Sequence, residues 1–221
     1  MGQLEFIIAL TEHRYLGMVF QPLLIERKER FYSMVRVVKP HDLDDPEYTF
    51  KPYEKELVQL IEKYSDDVLT KKFSRAGSVS EFFATLREGY FEKHVIPFIE
   101  KCMMEVCSIL MLSPVSLYRK EAKYSNLYDE DEINVPPFFA RPEFEFERTE
   151  THTRYRLRIF LDEKEMLLTS KSVQIVTNDP CLLLYRNQLV AFEKLNAKKL
   201  TPFFEKDYVS VPNTIEDKYY S

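Results

Sequence analysis

Residues 143–158 read EFEFERTETHTRYRLR. Phe144 and Phe146 alternate with Glu143, Glu145 and Glu147, and Tyr155 and Leu157 alternate with Arg154, Arg156 and Arg158. Alternation with period two predicts a half-buried strand in each run, one face on a core and one in water. A hairpin turn centred on Glu150-Thr151 fixes the register. Glu147 falls opposite Arg154, Glu145 opposite Arg156 and Glu143 opposite Arg158, while Phe146 meets Tyr155 and Phe144 meets Leu157. A slip of one residue would bury the charges and expose the rings, so the pattern specifies its own pairing.

Outward from this hairpin, residues 142–212 predict a C-terminal antiparallel sheet of short hairpins. EMLLTS, SVQIVT, CLLLYR, QLVAFE, KLTPFF and YVSVP are its further strand segments, with turn chemistry at Asn178-Asp179-Pro180 and Arg186-Asn187-Gln188. After Val211-Pro212-Asn213, the run Thr214-Ile215-Glu216-Asp217 has the pattern of a helix start. Residues 213–221 therefore read as the start of a helix or a linker, and suggest a chain cut from a longer polypeptide.

Towards the N-terminus, residues 115–141 read as a polar connector, with the acidic run Asp129–Glu132 and Pro136-Pro137 as loop signals. Residues 1–114 divide into a β part and a helical part. LEFIIAL, YLGMVFQPLLIE and FYSMVRVV predict two hairpins or a three-stranded antiparallel meander over residues 4–38, with Pro22 indicating an edge position or a bulge. Helical spacing governs residues 52–112: Tyr53, Leu57, Leu60, Ile61 and Tyr64 share one face, and Phe91, Val95, Phe98, Ile99, Cys102, Met103, Val106 and Leu110 share another. Ser78 and Glu81 have capping-box spacing, Pro97 opens or kinks the last helix, and Pro114 stops it. Segregated β, α and β zones predict the α+β class.

Composition narrows the function classes. The 221 residues carry a formal net charge of -5 with a pI near 5.6, which does not suit a general polyanion binder. No apolar run is long enough to cross a membrane, and the start lacks a secretory signal pattern; Phe6 stands where a myristoylation motif needs Ser or Thr. These features, with three cysteines read as buried thiols, point to a cytoplasmic protein without a membrane partner. The four glycines are too far apart for a phosphate-binding loop.

No catalytic, cofactor or metal residue is assigned. The Glu/Arg ladder reads as structure because each arginine faces a glutamate. His41-Asp42, with Asp44 and Asp45 nearby and His13 and His94 elsewhere, raises metal-dependent phosphohydrolysis as the least favoured alternative. In the segment HDLDDPE, Asp42 or Asp44 is expected instead to cap a turn. No G-x-S-x-G is present, and Cys102, Cys107 and Cys181 lie in apolar runs. The best basic cluster is Lys71, Lys72 and Arg75, a candidate nucleic-acid contact whose bland reading is neutralisation of a helix C-terminus. Lys198-Lys199 fits a polar turn.

Several segments, in order along the chain, carry a family resemblance. HRYLGMVFQPLLIE, YSDDVLTKKFS, HVIPFIEKCMMEVC, NDPCLLLYRNQLVAF and KKLTPFF together resemble the N-terminal accessory region of bacterial Swi/Snf-type helicases, DNA translocases of helicase superfamily two. The motor of that family, with its loop ending in Gly-Lys-Thr and its Asp-Glu-x-His box, lies downstream, and this chain has neither motif. The resemblance therefore implies a non-catalytic module that positions or regulates the ATPase core of the same polypeptide, with DNA or another protein as further partners. A free-standing protein-interaction or scaffold domain is the alternative.

Overall fold

The computed structural model describes residues 3–74, 78–85, 88–169, 171–204 and 206–215. The chain is α+β, with antiparallel sheets on either side of a central helical segment in chain order. It divides into two units, Met1–Pro137 with Asn187–Leu189, and Phe138–Arg186 with Val190–Ser221.

The first unit is built on β1 (Leu4–His13), β2 (Gly17–Arg27) and β3 (Tyr32–Val37), the expected meander. Gly17, at φ +76°, closes the β1–β2 turn in a left-handed conformation open to glycine. Phe6 to Leu10 are buried on both faces of β1, which is why LEFIIAL is nearly continuous in apolar residues. Pro22 is not on an edge: β2 lies between β1 and β3. Its carbonyl accepts the Val38 N–H at 2.9 Å, so the missing N–H faces the place where β3 has just ended. The expected bulge lies close by, as a register shift between Leu24 and Ile25 that leaves Val35 of β3 unpaired.

Residues 115–141 do more than connect. Among the described residues they supply β4 (Leu117–Lys120), β5 (Asn126–Leu127) and β6 (Glu132–Ile133), giving a six-stranded sheet of order β5-β3-β2-β1-β4-β6. β4 runs parallel to β1, and the other pairs are antiparallel. The parallel pair could not be read from a segment of four residues, because its alternation is too short to show a period. The acidic run is a 3-10 turn in which Asp131 Oδ2 accepts the Tyr128 N–H at 2.9 Å.

The helices are α1 (Pro52–Glu62), α2 (Asp66–Phe73), α3 (Val79–Thr85), α4 (Glu88–Tyr90) and α5 (Ile96–Leu110). Pro52 opens α1, and Glu54 Oε2 accepts the Lys51 N–H at 2.8 Å. The α1 face Leu57, Leu60 and Ile61, Tyr64 in the turn after it, and the α5 face Ile99, Cys102, Met103, Val106 and Leu110 are buried. Ser78 Oγ accepts the Glu81 N–H at 3.2 Å, one half of the expected capping box. Pro97 occupies the first turn of α5, directly after five residues of π-helix, Phe91–Val95. The Ile96 N–H reaches back to Phe91 O, so the wider turn precedes the residue that has no N–H to donate.

In the second unit β7 (Arg141–Arg148), β8 (His152–Leu161), β9 (Lys164–Met166) and β13 (Val209–Pro212) form one sheet, in which β8 pairs with each of the other three. β10 (Val173–Asn178), β11 (Cys181–Tyr185) and β12 (Gln188–Ala191) form another. Turns fall at Asp179-Pro180 and at Arg186-Asn187, as their chemistry predicts. Ile159, Leu161, Met166, Cys181, Leu183 and Phe192 are members of one apolar core. KLTPFF is not a strand. Asn196 Oδ1 accepts the Lys198 N–H at 2.9 Å, Pro202 lacks a ladder donor, and the segment winds into two 3-10 turns that bury Leu200. EMLLTS likewise leaves its strand after Met166. Residues 213–215 make a 3-10 turn, and the remainder of the helix start expected at Thr214 falls on residues 216–221, outside the described residues.

Candidate functional site

The β7–β8 hairpin has the register read from its sequence. Glu143 pairs with Arg158, Phe144 with Leu157, Glu145 with Arg156, Phe146 with Tyr155 and Glu147 with Arg154. Thr149 closes it, its N–H donating to His152 O at 2.8 Å, and Asn213 fastens the turn by donating from Nδ2 to the carbonyls of Thr149 (3.1 Å) and Glu150 (3.2 Å).

The ion pairs follow the register with one exception. Arg154 meets Glu147 at 3.4 Å and Arg156 meets Glu145 at 3.8 Å. Arg158 reaches diagonally to Glu145 at 2.9 Å and, on the other side, to Glu165 of β9 at 2.7 Å, leaving Glu143 to Arg141 at 3.1 Å. The hydrogen bond from Arg158 holds the Glu165 carboxyl below its ordinary range. Further along the same face, the Arg154 guanidinium lies over the Tyr208 ring at 4.8 Å. The arginines are thus engaged by carboxylates and rings, as the structural reading of the ladder requires.

The aromatic face departs from expectation. Alternation predicted that it would be buried, yet Phe144 is 43% exposed and Phe146 is 61% exposed. The core under this sheet lies around Ile159, Leu161 and Met166, at the end of the hairpin away from its turn. Phe144 still reaches the Phe203 ring (5.8 Å between centroids), whereas Phe146 has an edge-to-face contact with Tyr155 at 5.3 Å and is otherwise largely open to water. β7 is also the end strand of its sheet. Two exposed phenylalanines on a sheet edge are the kind of surface that associates with another chain.

The other candidates are dispersed. Lys71 and Lys72 are exposed in the last turn of α2, opposite Asp66 and Asp67 in the first, an arrangement that complements the helix dipole. Lys72 Nζ sits 3.5 Å from the Phe98 ring centroid, and Arg75 lies outside the described residues. His41 is exposed, and Asp42 Oδ2 accepts the Lys39 N–H at 2.7 Å, which makes Asp42 the turn cap that the acidic segment was expected to contain. Asp45 pairs with Arg36 at 2.7 Å; the Glu47 N–H and then Arg36 hold its carboxyl low. His94 stacks at an angle on Tyr90. Among the described residues, His, Cys, Asp and Glu do not gather in threes as a metal site would require. Cys102, Cys107 and Cys181 are buried thiols outside any disulfide, and burial pushes the Cys107 thiol up to about 12, away from the thiolate form a nucleophile needs.

One juxtaposition had no signal in the sequence. His13 Nε2 lies 3.2 Å from Asp66 Oδ1, across 53 positions, at the rim of a cleft of about 510 Å3 lined also by Phe20, Val58, Ile61 and Tyr64. Ser65 also lines this cleft but donates to Glu62 at 3.1 Å, not to His13, so the set does not align as a nucleophile and its base. No helix among the described residues is long and apolar enough to cross a membrane. Comparison with protein-family models, with curated proteins and with solved structures found no match to this chain.

Proposed function

We propose that this chain is a non-catalytic interaction module, and specifically the accessory part of a larger Swi/Snf-type DNA translocase. The observation that carries the interaction reading is the pair Phe144 and Phe146, exposed side by side on the end strand of a sheet. Supporting it, the ladder charges are engaged with one another and the thiols are buried. The assignment to a translocase rests on the ordered segments HRYLGMVFQPLLIE to KKLTPFF alone. In this reading the ATPase core of the same polypeptide is the first partner, the protein acts in the cytoplasm, and any DNA contact falls to Lys71 and Lys72 with Arg75.

Two measurements test it. The reading frame should continue past Ser221 into a Gly-Lys-Thr loop and an Asp-Glu-x-His box, and the purified chain should not turn over ATP. A stop codon at that point with no ATPase gene adjacent, or ATP turnover abolished by a point substitution within the chain, overturns the assignment. Charge reversal at Lys71 and Lys72 that leaves DNA affinity and its salt dependence unchanged removes the DNA role. The second reading, a free-standing scaffold, is favoured by the apolar core that the C-terminal unit closes for itself.

A further inference from the structure

The cleft with His13 and Asp66 at its rim opens where β2 runs out of neighbours. β3 pairs with β2 only from Leu23 to Arg27, and the chain leaves the sheet after the Val38 N–H has donated to Pro22 O at 2.9 Å. Nearer the β1–β2 turn, the outer edge of β2 has no strand beside it, and the cleft lies between that edge and the turn that joins α1 to α2. The Pro22 carbonyl points outward, so by the two-residue period of the ladder the backbone groups of Phe20 do the same. Tyr64 Oη donates to the Phe20 carbonyl at 3.4 Å, whereas the Phe20 N–H has no acceptor among the described residues. Phe20 is buried, so this is a backbone donor that an acceptor group on a bound molecule would satisfy.

From this cleft we infer that the first unit binds a small organic cation, a molecule with an apolar body and a protonated amine at one end. The volume of about 510 Å3 is that of an ordinary small-molecule pocket. Its walls are apolar, with Val19, Val38, Val58 and Ile61 all buried. Its charge is that of three carboxylates, Glu62, Asp66 and Asp67, against one lysine, Lys39. The Tyr15 N–H donates to His13 Nδ1 at 3.3 Å, which leaves the ring proton on Nε2, facing Asp66 Oδ1 at 3.2 Å. A neutral imidazole orients this carboxylate without cancelling its charge. Glu62 likewise has a hydroxyl partner, Ser65 Oγ at 3.1 Å. Among the described residues neither Glu62, Asp66 nor Asp67 has a lysine or arginine within ion-pair distance. The positive end of α2 is equivalent to about half a charge, less than the two aspartates in its first turn. The cleft is thus complementary to a cation and unsuited to an anion. This inference goes beyond the interaction-module reading and does not rest on it.

The test is isothermal titration calorimetry of the full chain with phenylbutylamine, and with phenylbutanol and phenylbutanoate as its neutral and anionic analogues. The expected result is saturable binding of the amine, weaker by at least about tenfold for each analogue and reduced by added salt. Asp66→Asn should weaken the amine several-fold, because the amide still accepts from His13 and only the charge is lost. Glu62→Gln, on α1 instead of α2, is a second variant with the same expected direction, and thermal unfolding checks the fold of both. No saturable binding of the amine, equal binding of the amine and the alcohol, or unchanged amine affinity in both folded variants overturns the inference. The assay contains no partner protein, motor or nucleotide, so its failure is separate from failure of the translocase assignment, which the reading frame decides.

Discussion

At the scale of single residues, Arg158 is the side chain on which the hairpin's charge network converges. It bridges Glu145 and Glu165 from different strands, whereas among the described residues Arg154 meets one carboxylate, Glu147, at 3.4 Å. Arg158→Ala should therefore lower the melting temperature more than Arg154→Ala does, as followed by circular dichroism. The pH dependence has a definite sign. Folding lowers the pKa of Glu165 through Arg158, and that of Asp45 through the Glu47 N–H and Arg36. Each contributes stability that is complete above its unfolded value, 4.5 for Glu165 and 3.8 for Asp45, and that is lost as pH falls through the lower folded value. Denaturant midpoints should fall on acidification through that range, and Arg158→Ala should flatten the part due to Glu165. The opposite slope would show that these carboxylates are not held low. The sequence made the Glu–Arg pairing legible because opposite positions in a ladder are fixed by register. It could not show that Arg158 turns to Glu165, since β9 enters the sheet through a separate turn.

At the scale of elements, the hairpin and the helices are held in different ways. The turn of the hairpin is fastened by Asn213, which accepts from Thr153 Oγ1 at 3.2 Å and donates to two turn carbonyls. Asn213→Ala should destabilise the protein by about 1–3 kcal/mol, because it leaves partly buried groups without a partner. Native-state hydrogen exchange should show the loss first in β7 and β8. Helix α1 is held by packing. Leu57 has no exposed surface, and Leu57→Ala should cost about 2–5 kcal/mol in a urea titration. Periodicity found α1, α5 and the meander because each buries a continuous face. It misassigned KLTPFF because the cap at Asn196 and the missing donor of Pro202 outweigh a short apolar run. It placed Pro22 on an edge or at a bulge because residue type alone does not show where the neighbouring strand stops.

At the scale of the whole molecule, the three cysteines report on both units: Cys102 and Cys107 on the first, Cys181 on the second. All are buried, so a thiol reagent should label none of them in the native protein at neutral pH and all three in denaturant. Rapid labelling of one native thiol would place that residue in a loosened segment. The sequence by itself determined the α+β class, the meander, the buried helix faces and the register of the β7–β8 hairpin, since each follows from a local period that the backbone geometry must obey. Only the tertiary structure decided that β4 lies parallel beside β1 and that His13 meets Asp66, contacts between residues far apart in the chain. It also decided that Phe144 and Phe146 stay open to water. Alternation shows that one face of a strand is apolar, but whether that face is covered depends on how far the core beneath it extends, and here the core stops short of Phe146.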